Sequence, residues 1–478
     1  MAVWIEIQGM KRYLLALIVL LLSGPKEVIS QEFDKNIVGY FVSWGIYARD
    51  YHVPDIPVDK INVINYAFAN ISGGEVILGD AYADIDRFYP GDCWDPGCER
   101  GSFHQLQILK EANPHLKTMI SVGGWTWSYY FSEVAATPES RSIFAASCVA
   151  FIQEWGFDGV DIDWEYPVSG GLPGNLYSPD DRENYTLLLA ELREQLDFAG
   201  DYLLTIAAPA SPAIIQNIEV DQVFQYLDWI NIMTYDFHGP WGSEADSVTN
   251  FLSALYPSEE DPLEEPYHSQ FNFSAAVQNY LDFGVPPAKL HGGLPFYGRG
   301  FAGVANENNG LFVDWSGLPG GTWESGVADY WDLAQNYVNT NGYIEFWHPE
   351  ALVPWVYNPE LHVMYSYENP ASLSAKCDYL LEQNLGGVMF WEFSGDKFND
   401  LVTTVYAEMN SGPGECELVG DVNGDGNINI SDVVILVGYI LGNIGEIDQE
   451  FCADSNSDGN IDILDVVRTI EIILNPDL

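Results

Sequence analysis

The segment Phe157-Asp158-Gly159-Val160-Asp161-Ile162-Asp163-Trp164-Glu165-Tyr166-Pro167 alternates acidic and apolar side chains. In an extended strand, successive side chains point to opposite faces, so Asp161, Asp163 and Glu165 share one face. The apolar residues between them face the other way, towards a predicted layer of helices: Val160, Ile162 and Trp164. The segment therefore predicts a buried strand whose inner face carries three carboxyl groups.

Seven further apolar, β-rich runs alternate with amphipathic helical stretches along the chain. Together with the segment above, they predict eight strands, over residues 36–42, 61–69, 117–123, 157–165, 202–208, 229–235, 290–297 and 386–391. Eight strands separated by helices predict an α/β protein, a (β/α)8 TIM barrel rather than an open doubly wound sheet. The aromatic stretch from about 301 to 368 is too long for a loop, so it predicts an α+β insertion between strands 7 and 8.

The two ends of the chain differ in character from the barrel. At the N-terminus, Lys11 and Arg12 precede an apolar run over residues 13–22 that is too short to span a bilayer comfortably. We expect residues 1–30 to be a signal peptide, and a buried first helix is the alternative. The remaining predicted divisions are a catalytic barrel over 31–410, a linker over 411–414 and a second, small domain over 415–478.

Charge and cysteine content limit the partners and the compartment. The formal net charge is −52, from 70 acidic and 18 basic residues, and such a surface repels nucleic acid and anionic membranes. No later stretch of sequence is long and apolar enough for a membrane span. We expect a secreted protein, extracellular or attached to the cell surface, with a monomeric catalytic unit. Six cysteines suit an oxidising compartment, with expected pairs Cys93–Cys98 and Cys416–Cys452 and expected buried thiols at Cys148 and Cys377.

Three carboxyl groups on one inner face need a chemical explanation. Like charges packed inside a barrel repel one another unless they are protonated, paired or used in a reaction. A metal site is the alternative, but no His or Cys cluster accompanies the acids. Glu165 ends the strand, at the face where barrel enzymes hold their active sites. Beside Asp161 and Asp163 it is expected to keep its proton near neutral pH, which a general acid for a glycosidic oxygen requires.

The same segment resembles the Asp-x-x-Asp-x-Asp-x-Glu signature of family 18 glycoside hydrolases, and the resemblance extends strand by strand over residues 36–405. It implies a retaining, substrate-assisted mechanism without a carboxylate nucleophile from the enzyme. Glu165 would protonate the leaving oxygen while the N-acetyl carbonyl of the substrate attacks the anomeric carbon. Asp163 would turn between Asp161 and Glu165 and hold the acetamido N–H. Glu165 would then activate water.

Further strand ends match motifs of that family, Ser121-Val122-Gly123-Gly124-Trp125 on strand 3 and Met233-Thr234-Tyr235-Asp236-Phe237 on strand 6. The resemblance implies that Ser121 and Tyr40 hold Asp161. It also implies that Tyr235 takes part in catalysis by donating to the acetamido oxygen. The residues implied to bind substrate are Tyr40, Trp44, Ser121, Gly124, Trp125, Met233, Asp236, Trp241, Arg299 and Trp391, with Asp236 paired to Arg299 and Trp391 as the floor of the cleavage subsite.

The resemblance implies a chitinase that hydrolyses β-1,4-N-acetylglucosamine linkages in chitin or chito-oligosaccharides, as part of polysaccharide catabolism. Two alternatives are an endo-β-N-acetylglucosaminidase acting on N-glycans or peptidoglycan and a catalytically weak chitin-binding lectin. Lectins built on this barrel typically lose the acid, whereas Glu165 is present. The insertion and the tryptophans favour a linear polymer. One departure is Tyr367-Glu368-Asn369-Pro370, where the family more often has two aspartates after the tyrosine.

A repeat with a period of about 33 residues marks the C-terminal domain. Acids and amides occupy positions 1, 3, 5 and 12 of a loop that begins at Asp421, and Gly426 lies at position 6, where calcium loops turn sharply. Two Asn-Gly turns on a solvated surface are the alternative, but hard oxygen ligands at this spacing suit Ca²⁺. The pattern predicts two Ca²⁺ sites, with ligands Asp421, Asn423, Asp425, Asn427 and Asp432 in the first and Asp454, Asn456, Asp458, Asn460 and Asp465 in the second.

Each of these loops ends in Asp and is followed by one helix, which resembles type I dockerin modules. The resemblance implies a small all-α domain that binds a cohesin-bearing scaffold or a cell-surface protein. Loop positions 10 and 11 are Ile430-Ser431 and Ile463-Leu464, which differ from the hydroxyl-rich pairs of the cellulosomal type. A calcium-stabilised module with another partner is therefore the alternative. No cofactor is expected for catalysis itself.

Overall fold

The computed structural model describes residues 33–410 except 96, residues 418–441 except 425, and residues 450–453, 455–456 and 461–474. The predicted signal peptide and linker lie outside these residues, as do four of the predicted calcium ligands: Asp425, Asp454, Asp458 and Asn460. Among the helices that can be described, none is long and apolar enough to cross a membrane.

Eight parallel strands of the described chain close into a barrel, which confirms the predicted fold. The strands are β1 (Asn36–Val42), β2 (Val63–Ser72), β3 (Glu75–Ile77), β4 (Lys117–Gly123), β5 (Gly159–Asp163), β6 (Leu203–Pro209), β7 (Trp229–Met233), β8 (Leu290–Pro295), β9 (Tyr297–Ala302), β10 (Val327–Asp329), β11 (Ile344–His348), β12 (Val353–Asn358), β13 (Val363–Ser366) and β14 (Gly387–Trp391). The barrel order is β1-β14-β8-β7-β6-β5-β4-β2, and β2 pairs back onto β1. The short strand β3 adds to β2 in the antiparallel direction.

Helices lie between the strands on the outside of the barrel, and further helices belong to the insertion and to the C-terminal domain. The longer ones are α1 (Gly101–Ala112), α2 (Pro138–Trp155), α3 (Asp181–Ala199), α4 (Phe273–Asp282), α5 (Tyr330–Asn336), α6 (Pro370–Glu382), α7 (Asp400–Asn410), α8 (Ile430–Ile440) and α9 (Ile463–Leu474). Short helical turns span Ser43–Ile46, Val53–Asp55, Tyr82–Asp86, Gly124–Trp127, Ser128–Tyr130, Phe131–Ala135, Pro212–Ile215, Val220–Val223, Glu244–Asp246, Tyr267–Gln270, Pro287–Lys289, Asn308–Gly310, Phe393–Asp396 and Glu450–Ala453.

Helix α2 shows how the local sequence sets the limits of these elements. Thr137 caps its N-terminus by accepting a hydrogen bond from the Ser140 N–H at 3.1 Å, and Pro138 occupies the first helical position. The helix ends at Gly156, whose φ of 75° is a left-handed conformation that glycine adopts without strain. Between these two ends, one face buries Phe144, Cys148 and Ile152 in the main core.

The predicted α+β insertion is a five-stranded antiparallel sheet in the order β10-β9-β13-β12-β11, accompanied by α5. It begins at Tyr297, earlier than the predicted start near residue 301, because the predicted seventh strand divides into β8 and β9. Phe296 lies between these two strands. Its N–H donates to Trp391 O at 2.7 Å and its ring stacks on Phe390 at 4.3 Å between centroids. Phe296 is therefore still hydrogen-bonded to the barrel, and the insertion begins at the next residue.

The described part of the C-terminal domain is helical and has its own small core. Val422, Val433, Leu436 and Val466 are buried there, between the loop regions and helices α8 and α9. This arrangement confirms the predicted small all-α domain.

The cysteines follow the expected pattern where they are described. Cys93 and Cys98 form a disulfide, and Cys148 and Cys377 are buried free thiols. Cys452 is also disulfide-bonded. Its expected partner, Cys416, lies outside the described residues.

Candidate active site

The inner face of β5 carries the predicted acids. Asp161 is completely buried, Asp163 is 4% exposed, and Glu165 is half-buried two residues beyond the end of the strand. Between the last two, Trp164 points to the outer core and stacks on Phe131 with ring centroids 5.4 Å apart. Strand alternation thus separates an acidic inner face from an apolar outer face.

Asp161 accepts hydrogen bonds from four side chains on four other barrel strands. Its Oδ2 accepts from Tyr40 Oη at 2.7 Å and from Ser121 Oγ at 2.8 Å. Its Oδ1 accepts from Thr205 Oγ1 at 2.6 Å and from Asn231 Nδ2 at 3.4 Å. Burial raises the pKa of Asp161, and these four hydrogen bonds oppose the rise. The side chain is held firmly in one position.

Asp163 has the opposite environment. Its Oδ1 is buried and has no hydrogen-bond partner among the described residues. Burial raises the pKa of Asp163 well above its ordinary value, and the charges of Glu165 and Asp161 raise it further. This carboxyl group therefore favours a proton, and it is free to meet a ligand.

Glu165 is held by its backbone rather than by its side chain. Its N–H donates to Ser128 Oγ at 2.8 Å, in the helical turn that follows β4. Burial raises the pKa of the Glu165 carboxyl to about 7; the hydrogen bond from Tyr166 opposes this rise, and the charge of Asp236 adds to it. A carboxyl group with this pKa is protonated in a large fraction of molecules near neutral pH.

Tyr235 lies among the same acids, just after β7. Burial raises its pKa well above the ordinary value, and so do the charges of Asp163 and Glu165. The phenol therefore stays protonated and is available as a hydrogen-bond donor. Its hydroxyl oxygen lies 3.8 Å from the sulfur of Met389, and its ring packs edge-on against Tyr297 with centroids 6.2 Å apart.

Asp236 and Arg299 form the ion pair that the sequence analysis anticipated. Arg299 Nε lies 2.9 Å from Asp236 Oδ1, and Nη2 lies 2.7 Å from Oδ2, so the contact is bidentate. The guanidinium also lies over the ring of Trp241, 5.2 Å from its centroid. The pair thus joins the end of the sixth barrel strand to strand β9 of the insertion.

Aromatic side chains surround the acids at the mouth of the barrel. Trp391 stacks on Phe68, with ring centroids 5.7 Å apart, and lies 6.3 Å from the ring of Trp44. Trp44, Trp125 and Trp241 are 37%, 46% and 51% exposed, each in a loop that follows a barrel strand. Exposed indole rings of this kind can stack on the apolar faces of sugars.

Gly124 and Met233 have structural positions within this region. A Cβ atom on Gly124 would lie 2.6 Å from the ring of Phe68, so glycine is needed where the chain passes the ring that supports Trp391. Met233 is half-buried in the interior cluster that also contains Tyr40, Tyr235 and Trp391.

Several residues that contact the acids or support Trp391 were not predicted from the sequence. Thr205 and Asn231 donate to Asp161, Ser128 accepts from Glu165, and Phe68 supports Trp391. The first two occupy inward positions of β6 and β7, so the alternation of side chains along each strand was a signal that could have found them. Ser128 follows no strand period, and the sequence carries no such signal for it.

The described residues of the two predicted calcium loops share one hydrogen-bonding arrangement. In the first loop, Asp432 accepts from the N–H groups of Asn423 and Asn429 at 3.3 and 2.8 Å. In the second, Asp465 accepts from the N–H groups of Asn456 and Asp462 at 3.2 and 2.8 Å. In both loops, therefore, the aspartate at position 12 accepts hydrogen bonds from backbone N–H groups at the equivalent loop positions. Only oxygen-bearing side chains line them at the described ligand positions, which fits Ca²⁺: Asp421, Asn423, Asn427 and Asp432, and Asn456 and Asp465.

Within the described ranges, no group of three or more His, Cys, Asp or Glu side chains is arranged to hold a metal ion. The ligand positions of the two loops include amides, and four of the predicted ligands lie outside those ranges.

A closed α/β barrel with inward carboxyl groups and aromatic side chains at the carboxyl ends of its strands is the architecture of a TIM-barrel glycoside hydrolase. The chain belongs to glycosyl hydrolases family 18, whose family profile matches residues 36–396. A second profile, the dockerin type I domain, matches residues 419–474. Both resemblances found in the sequence are confirmed, and the protein is a glycoside hydrolase with a C-terminal dockerin domain.

Individual relatives agree with this assignment. Chitinase A1 of Niallia circulans is 43% identical over 418 residues, covering 79% of this chain and 59% of that protein. Endochitinase 1 of Metarhizium robertsii is 38% identical over 368 residues, covering 75% of this chain and 81% of that protein. Among solved structures, chitinase ChiA74 from Bacillus thuringiensis aligns with a TM-score of 0.74 at 39% identity, covering 80% of this chain and 71% of that one.

Proposed function

We propose that this protein is a chitinase that hydrolyses β-1,4-N-acetylglucosamine linkages with retention of configuration. The observation that carries the proposal is Asp163 Oδ1, which is buried beside Glu165 and has no hydrogen-bond partner among the described residues. A buried oxygen of this kind is costly unless a ligand satisfies it. The acetamido N–H of an N-acetylglucosamine unit is a ligand of the right kind, and the names of the relatives, chitinase and endochitinase, point to the same sugar.

In the first step, Glu165 acts as the general acid. Its pKa, raised to about 7, keeps the proton available near neutral pH. The proton passes to the glycosidic oxygen and the bond to the leaving sugar breaks. The N-acetyl carbonyl oxygen of the same substrate unit forms a bond to the anomeric carbon. The products of this step are a Glu165 carboxylate and an oxazolinium-like intermediate.

Asp163 and Tyr235 orient the acetamido group for this attack. Tyr235 stays protonated, so its hydroxyl donates to the carbonyl oxygen. Asp163, which carries a proton, turns from Asp161 towards Glu165 and accepts from the acetamido N–H through its free oxygen. It shares its proton with the newly formed Glu165 carboxylate, and the negative charge of this pair stabilises the positive intermediate. Asp161, held by four hydrogen bonds, is the fixed end of that turn.

In the second step, Glu165 acts as the general base. Its carboxylate takes a proton from water, and the water oxygen attacks the anomeric carbon from the face that the leaving sugar occupied. The bond from the carbonyl oxygen to the anomeric carbon breaks, which restores the acetamido group and the protonated Glu165. Two displacements at the same carbon give net retention, and no cofactor enters either step.

The aromatic residues bind a chain rather than a single sugar. Trp391 forms the floor beside the acids, and exposed rings lie on loops that follow different barrel strands: Trp44 after β1, Trp125 after β4 and Trp241 after β7. Platforms distributed in this way around the mouth of the barrel fit chitin or chito-oligosaccharides as the substrate. A catalytically weak lectin would not need an acid with a raised pKa at position 165, so we favour the enzyme. All of these residues belong to one chain, which fits a monomeric catalytic unit.

Replacing Glu165 by Gln is the direct test. Gln cannot supply a proton, so Glu165→Gln should lower kcat on a fluorogenic chitobioside by about 10²–10⁴-fold while KM stays close to that of the parent protein. Glu154→Gln, an exposed change on α2, is the matched control and should leave both constants unchanged. Near-normal turnover by Glu165→Gln would contradict the assignment of the acid.

For the C-terminal domain we propose two bound Ca²⁺ ions and a protein partner outside the cell. Asp421, Asn423, Asn427 and Asp432 would hold the first ion, and Asn456 and Asp465 the second, together with the predicted ligands outside the described residues. Bound Ca²⁺ neutralises the carboxylates that would otherwise repel one another within each loop. The partner is a cohesin-bearing scaffold or a cell-surface protein, which agrees with a secreted enzyme that carries a dockerin domain.

A further inference from the structure

A chain of polar side chains, half-buried at its start and completely buried further on, links the N-terminal ends of the barrel strands to Asp161. It begins at Asn62, just before β2, whose Nδ2 lies 3.3 Å from Asn36 Oδ1. Asn36 Nδ2 lies 3.4 Å from His291 Nε2, and His291 Nδ1 lies 3.2 Å from Asn231 Oδ1. Asn231 Nδ2 lies 3.4 Å from Asp161 Oδ1. Each side chain in this series contacts the next one.

The direction of every hydrogen bond in this chain follows from its first link. The backbone N–H of Ile37, which can only donate, lies 2.8 Å from Asn62 Oδ1. That contact fixes the Asn62 amide, so its Nδ2 faces Asn36 and donates to Asn36 Oδ1. The Asn36 amide is fixed in turn, and its Nδ2 donates to His291 Nε2. The orientation is thus transmitted from a backbone group to an imidazole ring.

His291 fixes the orientation of the Asn231 amide because its imidazole ring stays neutral. It is completely buried on β8, and burial lowers its pKa to about 3. A neutral imidazole has one donor and one acceptor. Since Nε2 accepts from Asn36, the proton lies on Nδ1 and is donated to Asn231 Oδ1. The ring of Trp229 stacks on the imidazole with centroids 5.2 Å apart, which holds its plane.

We propose that His291 is a positioning residue for the acid cluster: its ring fixes the Asn231 amide so that Nδ2, a donor, always faces Asp161 Oδ1. The other three partners of Asp161 are hydroxyl groups, from Tyr40, Ser121 and Thr205. A hydroxyl group can rotate and accept a hydrogen bond from a protonated carboxyl group, but the fixed amide nitrogen can only donate. Asn231 therefore disfavours a proton on Asp161 and directs it towards the neighbouring acids.

This inference rests on the proposed function, in which Asp161 is ionised while Asp163 and Glu165 exchange a proton. The titratable groups that face Asp161 are Tyr40 from β1, Asp163 from β5, Tyr185 from α3 and Tyr235 from the segment after β7. The charge of Asp161 raises the pKa of each of them, and among them Asp163 is the carboxyl group, so it is the one that can compete with Asp161 for a proton at acidic pH. Without the amide donor, Asp161 should take up a proton at a higher pH than in the parent protein.

The test is the acidic limb of the kcat/KM profile on a fluorogenic chitobioside, measured with the full chain. His291→Leu removes both hydrogen bonds of the ring, and Asn231→Leu removes the donor itself. We expect either change to move the acidic limb to higher pH by about one unit, the size expected for one hydrogen bond to a charged group. KM at the optimum should change little.

Two further variants separate orientation from simple packing. His291→Gln keeps an acceptor and a donor at a similar separation, so it should restore the acidic limb of the parent protein. Met119→Ala removes volume from the same barrel interior without touching the chain of amides, and it should leave the limb in place. If His291→Leu does not fold, Asn231→Leu and His291→Gln decide the question.

The outcomes distinguish this inference from the mechanism on which it rests. An unshifted limb in Asn231→Leu and His291→Leu, or an equal shift in Met119→Ala, would overturn the positioning role. An inactive Glu165→Gln together with an unshifted limb would overturn only that role. An active Glu165→Gln would overturn the proposed acid–base mechanism itself, whatever the His291 variants show.

Discussion

Asp161, Asp163 and Glu165 lie on one inner face and yet meet three different environments. Asp161 accepts four hydrogen bonds, whereas Asp163 Oδ1 accepts none from the described residues. Glu165 lies near the charge of Asp236, which raises its pKa further than burial alone does. Differences of this kind separate the proton affinities of similar groups, and they support the proposed roles of a fixed carboxylate for Asp161, a turning carboxyl group for Asp163 and the acid for Glu165.

The raised pKa of Glu165 predicts the alkaline limb of the pH profile. Glu165 must be protonated to act as the acid, so kcat/KM should fall as the pH rises through about 7. The charge of Asp236 contributes to that value. Asp236→Asn removes this charge and leaves Arg299 unpaired, and both effects favour ionised Glu165. We therefore expect the alkaline limb to move to lower pH by about one unit.

The control for this measurement is Asp197→Asn, a half-exposed acid on α3 that lies outside the acid cluster. Its side chain is 65% exposed, and it should leave the limb where it is. A limb that stays in place in Asp236→Asn, or moves to higher pH, would contradict the electrostatic account of Glu165.

How much of the site the sequence could predict depends on whether a residue follows the strand period. The strand period predicted the inward face of Asp161, while the resemblance to family 18 implied that Tyr40 and Ser121 hold it, and the structure has both within hydrogen-bond distance of Asp161. Asn231 also occupies an inward position of its strand, but the sequence does not show which groups it contacts. Its role could therefore not be predicted. His291 contacts Asn231 only because β7 and β8 are neighbours in register, with these two residues opposite each other, and a single sequence does not show that pairing.

At the level of elements, the sequence predicted the positions of the barrel strands, but it did not predict the residue at which the seventh strand leaves the barrel for the insertion. Apolar runs separated by helices are a local signal, so the eight barrel strands lie close to the predicted ranges. The division between β8 and β9 occurs at Phe296, whose ring stacks on Phe390 of the neighbouring strand β14. Such a long-range contact leaves no trace in the local pattern, and the two strands were predicted as one.

A buried ion pair connects helix α6 to the strand end that carries Tyr235. Lys376 is completely buried and contacts Glu368, and its Nζ also donates to Ser253 O at 2.6 Å. Ser253 Oγ in turn donates to Thr234 O at 2.6 Å, one residue before Tyr235. Glu368, which differs from the residue more common in the family, is therefore paired with Lys376, and Lys376 is linked through Ser253 to the strand end that carries Tyr235.

Breaking that pair should destabilise the barrel. Lys376→Met leaves Glu368 as a buried, unpaired acid, so the free energy of unfolding in urea should fall by about 3–5 kcal/mol. Replacing both partners in Lys376→Met/Glu368→Leu removes the unpaired charge and should recover much of the loss. Lys35→Met, an exposed lysine, should change the free energy of unfolding by less than about 0.5 kcal/mol. A double variant as unstable as the single one would contradict this account.

At the scale of the whole molecule, the catalytic and calcium-binding functions use separate sets of residues. The acids, their hydrogen-bond donors and the tryptophans all lie within residues 36–396, the range of the hydrolase family. The calcium loops lie within 419–474 and surround a small core of their own, which includes Val422 and Leu436. A small core supplies little stability without additional constraints, so the helical domain should depend on its metal ions.

Chelation of calcium from the full chain should therefore unfold one domain and spare the other. With excess EGTA, the carboxylates of each loop repel one another without a cation between them, and helices α8 and α9 should lose hydrogen-exchange protection. The barrel strands should keep their protection, and turnover of a fluorogenic chitobioside should stay unchanged because none of the predicted calcium ligands that the structure describes contacts the acid cluster. Restoring Ca²⁺ should restore protection in α8 and α9, and protection that survives EGTA in both helices would contradict the calcium dependence.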